Sequence, residues 1–422
     1  MKCSPTKKSG LKRFFALLGP GIVTGAADDD PSGIVTYSMA GAQLGTSLLW
    51  TALLTWPLMA TIQMMCARVG LVSGFGLAAS LQKKFPKPLI ITAALALFIA
   101  NTINISADLS GMADVMQMLT GIYSWIFVII FGCAIIFATV RFPYKALASI
   151  LKWLAAVLFA YVITAFLVHP HWPSVLKATF LPSWPRGHAQ WTTLVAILGT
   201  TISPYLFFWQ ASQEIEEEKS KGRHTEASRR GAPPSALKER AIDVGVGTFF
   251  SNLIMYFIIL TTALTLNQNG ITHLESSRDA VQALRPLAGN FAALLYSAGL
   301  VGVGLLAIPT LAGSSAYAFS EIFNWHQGLN RTLLRARAFY GVLICSIFVG
   351  MALCLTKINP MDALFLTAII NGVLAPFLLG GLVMVARDSK IMQNQPSSPL
   401  AQIVVILTTL CMFAAAAALF CF

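Results

Sequence analysis

Three consecutive carboxylates, Asp28, Asp29 and Asp30, stand inside an otherwise apolar segment, and Pro31-Ser32-Gly33 follows at once. A charge at mid-bilayer costs at least ~2.5–3.5 kcal/mol on insertion scales, so an acid retained in an apolar span marks a functional site. Proline and glycine at the same point interrupt the helix. Interrupted backbone at membrane depth is tolerated only where it lines a cavity or is buried in protein. The first half-helix therefore ends in unpaired carbonyls, the negative pole of its dipole, and Asp30 adds a full charge beside them. The chemistry these residues predict is cation binding. A plainer reading of Asp30 is an N-cap, because Asp before Pro is a common helix start. The two roles are compatible, and capping alone does not account for a carboxylate in a membrane. Asp28 and Asp29 read as a solvated vestibule rim or as salt-bridge partners, since neighbouring helical residues do not share a face.

A second interruption, Gly199-Thr200-Thr201-Ile202-Ser203-Pro204-Tyr205, breaks another apolar run. The two breaks together offer oxygen donors: Ser203, the main-chain carbonyls of Ala27 and Thr200, and the Tyr205 hydroxyl. The plainer role of Ser203 is to satisfy backbone beside Pro204. Asn101, Asn104, Asp108 and Asp114 recur along one side of a third helix and predict a polar interior face. Asp108 fits a proton carrier or half of a salt bridge. Asn371, beside Gly372, points either toward the site or to an interhelical contact. Glu214, Glu216, Glu217 and Glu218 read as a solvated helix end, with an exit funnel for cations as the alternative. No His-Glu-x-x-His run occurs, and the six histidines fall in loops or at span edges, which argues against a membrane metalloprotease.

These residues must be positioned by a polytopic frame. Apolar residues make up 56% of the chain and charged residues 11%, too apolar for a soluble domain of this length. Eleven helices are predicted near 11–44 (broken), 47–69, 88–119, 122–140, 146–168, 190–215 (broken), 241–266, 290–322, 336–356, 361–386 and 400–421. After a tail over 1–10, residues 11–422 form a single transmembrane domain. Breaks five spans apart point to two inverted repeats, helices 1–5 (about 11–168) and 6–10 (about 190–386). Helix 11 looks peripheral. Lys and Arg crowd alternate loops, among them Lys83, Lys84, Lys87, Arg141, Arg229, Arg230, Arg240, Arg331, Arg335 and Arg387. The positive-inside rule then puts the N-terminus in the cytoplasm and the C-terminus outside, in the cytoplasmic (inner) membrane. The basic excess, net +12, is split among loops and is no nucleic-acid footprint. The first span leads into acids without a small-residue cleavage site, so it is not read as a signal peptide. The segment 214–240 is expected to be a mobile cytoplasmic loop, and 170–185 an outer connection. Cys66, Cys133, Cys345, Cys354, Cys411 and Cys421 read as small apolar packing residues.

The chain resembles the NRAMP family of divalent-metal transporters, particularly its magnesium-transporting relatives. The likeness is densest from Gly19-Pro20-Gly21 to Leu44, with Asp30-Pro31-Ser32-Gly33 and Ala40-Gly41-Ala42-Gln43 where the family usually has Asp-Pro-Gly-Asn and Gln-Ala-Gly-Ala-Gln. It returns at Ser106-Ala107-Asp108-Leu109, Thr201-Ile202-Ser203-Pro204-Tyr205 and Pro376-Phe377. The resemblance implies an all-α membrane protein of LeuT-like fold and alternating access. It also implies a metal held between broken helices 1 and 6 by Asp30 and the carbonyls of Ala27 and Thr200.

Several positions depart from the family pattern. Gly33 replaces its asparagine ligand, Ser203 its methionine, Tyr205 and Gln210 its two helix-6 histidines, Gly111 an acid one turn after Asp108, and Ala368 a helix-10 glutamine. A thioether favours transition metals, and a hydroxyl in its place removes that bias. Mg²⁺ keeps several waters and takes one or two carboxylates. The candidate ion site is therefore Asp30, Ala27, Thr200, Ser203, Gly33 and Tyr205. Asp108, Asn104, Asp29, Gln210 and Asn371 form the candidate proton or polar pathway. The expected function is transport of divalent cations, Mg²⁺ with Mn²⁺ admitted, without obligatory proton coupling. A proton-coupled Mn²⁺/Fe²⁺ symporter and an organic-solute symporter on the same scaffold are the alternatives. No cofactor, enzymatic activity or nucleic-acid partner is expected; the ion is the substrate and the lipid bilayer the surroundings.

Overall fold

The computed structural model describes residues 20–143, 156–185, 187–355 and 358–421. Among them no strand occurs, and eight helical stretches are long and apolar enough to cross a membrane. One of these, Pro31–Ser73, holds two crossings, and two shorter apolar helices, Ala156–Leu167 and Arg337–Leu353, complete the set.

In chain order the helices are α1 (Pro20–Asp28), α2 (Pro31–Leu44), α3 (Leu49–Ser73), α4 (Leu77–Gln82), α5 (Lys87–Thr120), α6 (Ser124–Arg141) and α7 (Phe159–Leu167). A short helix, α8 (Trp172–Phe180), lies in the Pro-rich connection. The second half follows with α9 (His188–Thr201), α10 (Pro204–Ser220), α11 (Pro234–Thr265), the short α12 (Ser277–Gln282), α13 (Ala292–Phe323), α14 (Arg337–Leu353), α15 (Pro360–Ala386) and α16 (Pro399–Cys421). The expected fifth helix is described only from residue 156 onward; its first part lies outside the described residues.

Local chemistry sets both breaks. Asp30 is extended (φ −70°, ψ 171°) and its side chain caps Gly33, with Pro31 at the first helical position of α2. Ile202 (φ −118°, ψ 57°) ends α9, Ser203 is extended, and Pro204 opens α10. Pro supplies its fixed φ where a helix start has no use for its missing N–H.

Packing follows an inverted repeat of five and five helices plus a sixteenth element, α16, on the side. Helix α11 packs on both halves of the first span and on α3, and α3 packs on α10 in the matching way. The pair α13–α14 has its counterpart in α5–α6, and α5 crosses α13 between them. Several contacts are backbone on backbone. A Cβ on Gly25 would stand 2.4 Å from the Gly247 carbonyl, and one on Gly199 would stand 2.0 Å from the Ala368 carbonyl. Only glycine lets α1 reach α11, and α9 reach α15, so closely.

The structure corrects the expectation for 214–240. The chain there is not a free loop. Helix α10 runs on to Ser220, a single turn covers Glu226–Arg229, and α11 begins at Pro234. The intervening strand of chain is docked: Gly231 N–H donates to the Val72 carbonyl (2.9 Å), and Arg229 Nε to the Gly74 carbonyl (3.3 Å). The acids of that helix end are buried rather than solvated, with Glu214 at 0%, Glu216 at 6% and Glu218 at 5% exposure. Their charges are met by Lys219, Lys221, Arg223 and Arg240 from the same face of the molecule. The cysteines divide: Cys66 is buried, whereas Cys133, Cys345 and Cys411 lie on the outer surface of the bundle.

Candidate ion site

The two breaks meet. Tyr205, in the first turn of α10, donates its hydroxyl to the Ala27 carbonyl in the last turn of α1 (2.9 Å). Thr200, in the last turn of α9, donates its hydroxyl to the Tyr37 oxygen on α2 (2.8 Å). Both contacts tie one broken span to the other. Asp30, Ala27, Thr200, Ser203, Gly33 and Tyr205 are all buried and all lie at these breaks.

Asp30 is held from three sides and is 2% exposed. Its Oδ1 accepts from Ser32 Oγ (2.6 Å) and from Gly33 N–H (2.8 Å); its Oδ2 accepts from Asn104 Nδ2 (3.1 Å). The capping role and the burial are both present, as a cation site at a helix break requires. No Lys, Arg or His stands within ion-pair distance of Asp28, Asp29 or Asp30 among the described residues.

Ser203 does what the plainer reading of it expected. Its hydroxyl donates to the carbonyls of Thr200 (2.6 Å) and Gly199 (3.0 Å), closing the end of α9. Its lone pairs stay available. Gly33 leaves space: a Cβ there would meet Tyr37, the Asp28 carbonyl and Asp30 Oδ1 only at 3.5–3.6 Å, ordinary contact distances. Gly111 is tighter. A Cβ there would stand 2.8 Å from Leu364 Cδ1, so an acid one turn after Asp108 requires the end of that leucine to shift.

The polar stripe of α5 faces inward as its spacing predicted. Asn104 Nδ2 donates to Asp108 Oδ2 as well as to Asp30 (both 3.1 Å), and Asn371 Nδ2 on α15 donates to Asn104 Oδ1 (3.2 Å). One asparagine thus fixes two carboxylates and is itself fixed by a third helix. Asp108 has no ion pair among the described residues, and its Oδ1 has no hydrogen-bond partner. Asn101 points to the other side of the stripe, to the Leu311 carbonyl and to Ser314 and Ser315 of α13.

Asp28 and Asp29 are neither rim nor salt-bridge residues. Both are buried, and both meet Ser251 Oγ of α11, at 2.9 and 3.1 Å. Gln210 belongs to a different network on the N-terminal side of the site. It accepts from Thr24 Oγ1 (2.7 Å) and donates to Glu214 Oε1 (2.7 Å). Glu214 pairs with Arg240 Nε (2.9 Å), and the same guanidinium holds Glu217 through Nη2 and Asp243 through Nη1, at 2.5 Å each. Asp243 in turn accepts the Gly21 N–H of α1 (2.8 Å). Sequence reasoning missed Arg240, Asp243 and Ser251. A helix-initial charge pair and a lone serine carry no signal until the fold shows what they face.

Among the described residues no three His, Cys, Asp or Glu side chains converge as a metal cluster. The breaks instead offer one carboxylate with main-chain carbonyls and hydroxyls, an all-oxygen set that suits hard cations.

Known proteins show the family and the fold. The divalent metal cation transporter MntH of Caldanaerobacter subterraneus subsp. tengcongensis is 24% identical over 411 residues, 94% of this chain and 90% of that protein. The like-named protein of Deinococcus radiodurans is 25% identical over 400 residues, 91% and 84% of the two chains. Among solved structures, the Eremococcus coleocola manganese transporter, in complex with an aromatic bis-isothiourea substituted compound, gives a TM-score of 0.73 at 17% identity, covering 99% of this chain and 89% of that one. Mhp1, a nucleobase-cation-symport-1 family transporter, gives 0.58 at 14% identity, with 95% and 92% covered. The fold is the LeuT-like inverted repeat. The family described as natural resistance-associated macrophage protein-like matches residues 21–421, and the chain belongs to this Nramp family.

Proposed function

We propose that this chain moves hard divalent cations, Mg²⁺ with Mn²⁺ also admitted, through the cytoplasmic membrane by alternating access. The N-terminus is cytoplasmic and the C-terminus outside. The observation that carries the proposal is the buried Asp30 carboxylate at the break, held by Ser32, Gly33 and Asn104 and facing no basic side chain. A buried carboxylate without a cationic partner is costly, and an incoming cation supplies that partner.

The ion is bound by Asp30 with the carbonyls of Ala27 and Thr200 and, directly or through water, by Ser203, while the Tyr205 hydroxyl competes with the ion for the Ala27 carbonyl. The carbonyls are not idle before the ion arrives: Tyr205 and Ser203 donate to them. Binding therefore exchanges two hydroxyl hydrogen bonds for ion contacts, and the Ser203 hydroxyl can turn a lone pair inward. Exchange between the two sides requires α1 and α10 to part where Arg240, Glu214 and Asp243 join them on the cytoplasmic side.

The tilt toward hard ions rests on the absence of sulfur at position 203 and on the oxygen-only donors. Uncoupled transport rests on the space at Gly111, which Leu364 fills, and on the replacement of histidines by Tyr205 and Gln210. Asp108 is the one acid left on that route. The test is uptake of Mg²⁺, Mn²⁺ and Ca²⁺ into proteoliposomes with internal pH recorded. Mg²⁺ and Mn²⁺ uptake at constant internal pH is expected. Acidification that tracks Mn²⁺ flux would instead identify a proton-coupled symporter.

A further inference from the structure

The mechanism leaves Asp28 and Asp29 unused, and their surroundings are not those of idle side chains. Asp28 is 1% exposed and Asp29 5%. Asp28 Oδ2 and Asp29 Oδ1 both lie against Ser251 Oγ, at 2.9 and 3.1 Å. A serine has a single O–H hydrogen and can give it to only one of them at a time. Asp28 Oδ1, the other oxygen of the same carboxyl group, is buried with no hydrogen-bond partner at all. No Lys, Arg or His lies within ion-pair reach of either acid among the described residues. Two adjacent carboxylates, one shared donor and one vacant, buried acceptor oxygen make a region short of positive charge. Such a deficit is relieved when a cation takes the place that hydrogen-bond donors leave empty.

We propose that Asp28, Asp29 and Ser251 form a second cation site, next to the Asp30 site and distinct from it. The donors are two carboxylates and a hydroxyl, all hard oxygens, and their charge matches a divalent ion. With a cation bound, Ser251 turns its hydrogen elsewhere and offers a lone pair, while Asp28 Oδ1 gains the partner it lacks. The site joins α1 to α11, so its occupancy bears on whether the first half-helix stays docked against α11, where Gly25 meets Gly247. It does not depend on transport or on the identity of the carried ion, and it rests on the proposed function only in that Asp30 holds the first ion.

Equilibrium binding of Mn²⁺ to the full-length protein in detergent tests this, with bound metal counted directly. The wild-type protein is expected to bind a second equivalent beyond the one lost in Asp30→Asn. Asp28→Asn with Asp29→Asn, and separately Ser251→Ala, are expected to remove that second equivalent and to keep the first. Ser251→Thr, which keeps a hydroxyl, is expected to retain both. Monodispersity and thermal unfolding of each variant identify any that fails to fold, and Ser251→Thr together with Asp30→Asn keeps the count readable if the double variant does fail. Excess Mg²⁺ is expected to displace the second equivalent. Displacement by Na⁺ but not by Mg²⁺ would overturn the divalent assignment. A single equivalent in the wild-type protein, or a count that ignores Asp28, Asp29 and Ser251, would overturn the site itself.

Discussion

At the scale of residues, the break in the first span is a set of competing hydrogen bonds. Tyr205 occupies one lone pair of the Ala27 carbonyl, and a cation that uses that oxygen competes with it. Removing the phenol hydroxyl takes away a hydrogen bond worth about 1 kcal/mol net. Tyr205→Phe is therefore expected to tighten apparent Mg²⁺ affinity about fivefold, measured as KM for uptake or by thermal shift. A weaker affinity would mean that the phenol oxygen is itself a ligand. Asn104 works in the other direction, because it donates to Asp30 and Asp108 at once and is braced by Asn371. Asn104→Leu leaves two buried carboxylates short of a donor. The expected loss is roughly 1.5–3 kcal/mol for a hydrogen bond to a charged group, read as a fall in stability and in ion affinity. Selectivity is argued at the same scale. Gly33 has room for a side chain, and Ser203 stands where a thioether would be soft. Gly33→Asn with Ser203→Met is expected to raise the Mn²⁺ to Mg²⁺ uptake ratio. An unchanged ratio would remove Ser203 as the source of the hard-ion tilt.

At the scale of elements, the chain is held together by helices that touch backbone to backbone and by one arginine. Gly199→Ala places a methyl group 2.0 Å from the Ala368 carbonyl, which α9 and α15 cannot relieve without separating. Overpacking of this kind costs about 1–3 kcal/mol or more, and a lowered melting temperature with Mg²⁺ uptake reduced in parallel is the expected outcome. Arg240 balances Glu214, Glu217 and Asp243; losing it leaves buried charges unpaired, a change worth about 3–5 kcal/mol. Much of this architecture was legible beforehand. Proline, glycine and acid in apolar runs mark both breaks, because few other residues interrupt a helix at that depth. The α5 stripe was legible through its spacing. The Arg240 cluster was not, since Glu214 and Arg240 come together only after the chain turns back between α10 and α11. Acids ending a helix look solvated until that happens. Ser251 was invisible for a related reason: a serine in an apolar helix usually bonds its own backbone, and only the fold sets it opposite Asp28 and Asp29.

At the scale of the whole molecule, the inverted repeat brings two weak helix ends to one depth and surrounds them with apolar packing. A divalent ion crossing the membrane gains ~4.6 kcal/mol per 100 mV, twice the value for one charge, enough to drive accumulation without protons. An inside-negative diffusion potential is expected to accelerate Mg²⁺ uptake, and an inside-positive one to suppress it. The account stands or falls on the carboxylate at the first break. Mg²⁺ uptake into proteoliposomes by Asp30→Ala, set beside the wild-type protein at equal reconstitution, is the most direct measurement. Uptake reduced to that of empty vesicles, in a variant that remains folded and monodisperse, is the expected result. Wild-type flux through Asp30→Ala would contradict it.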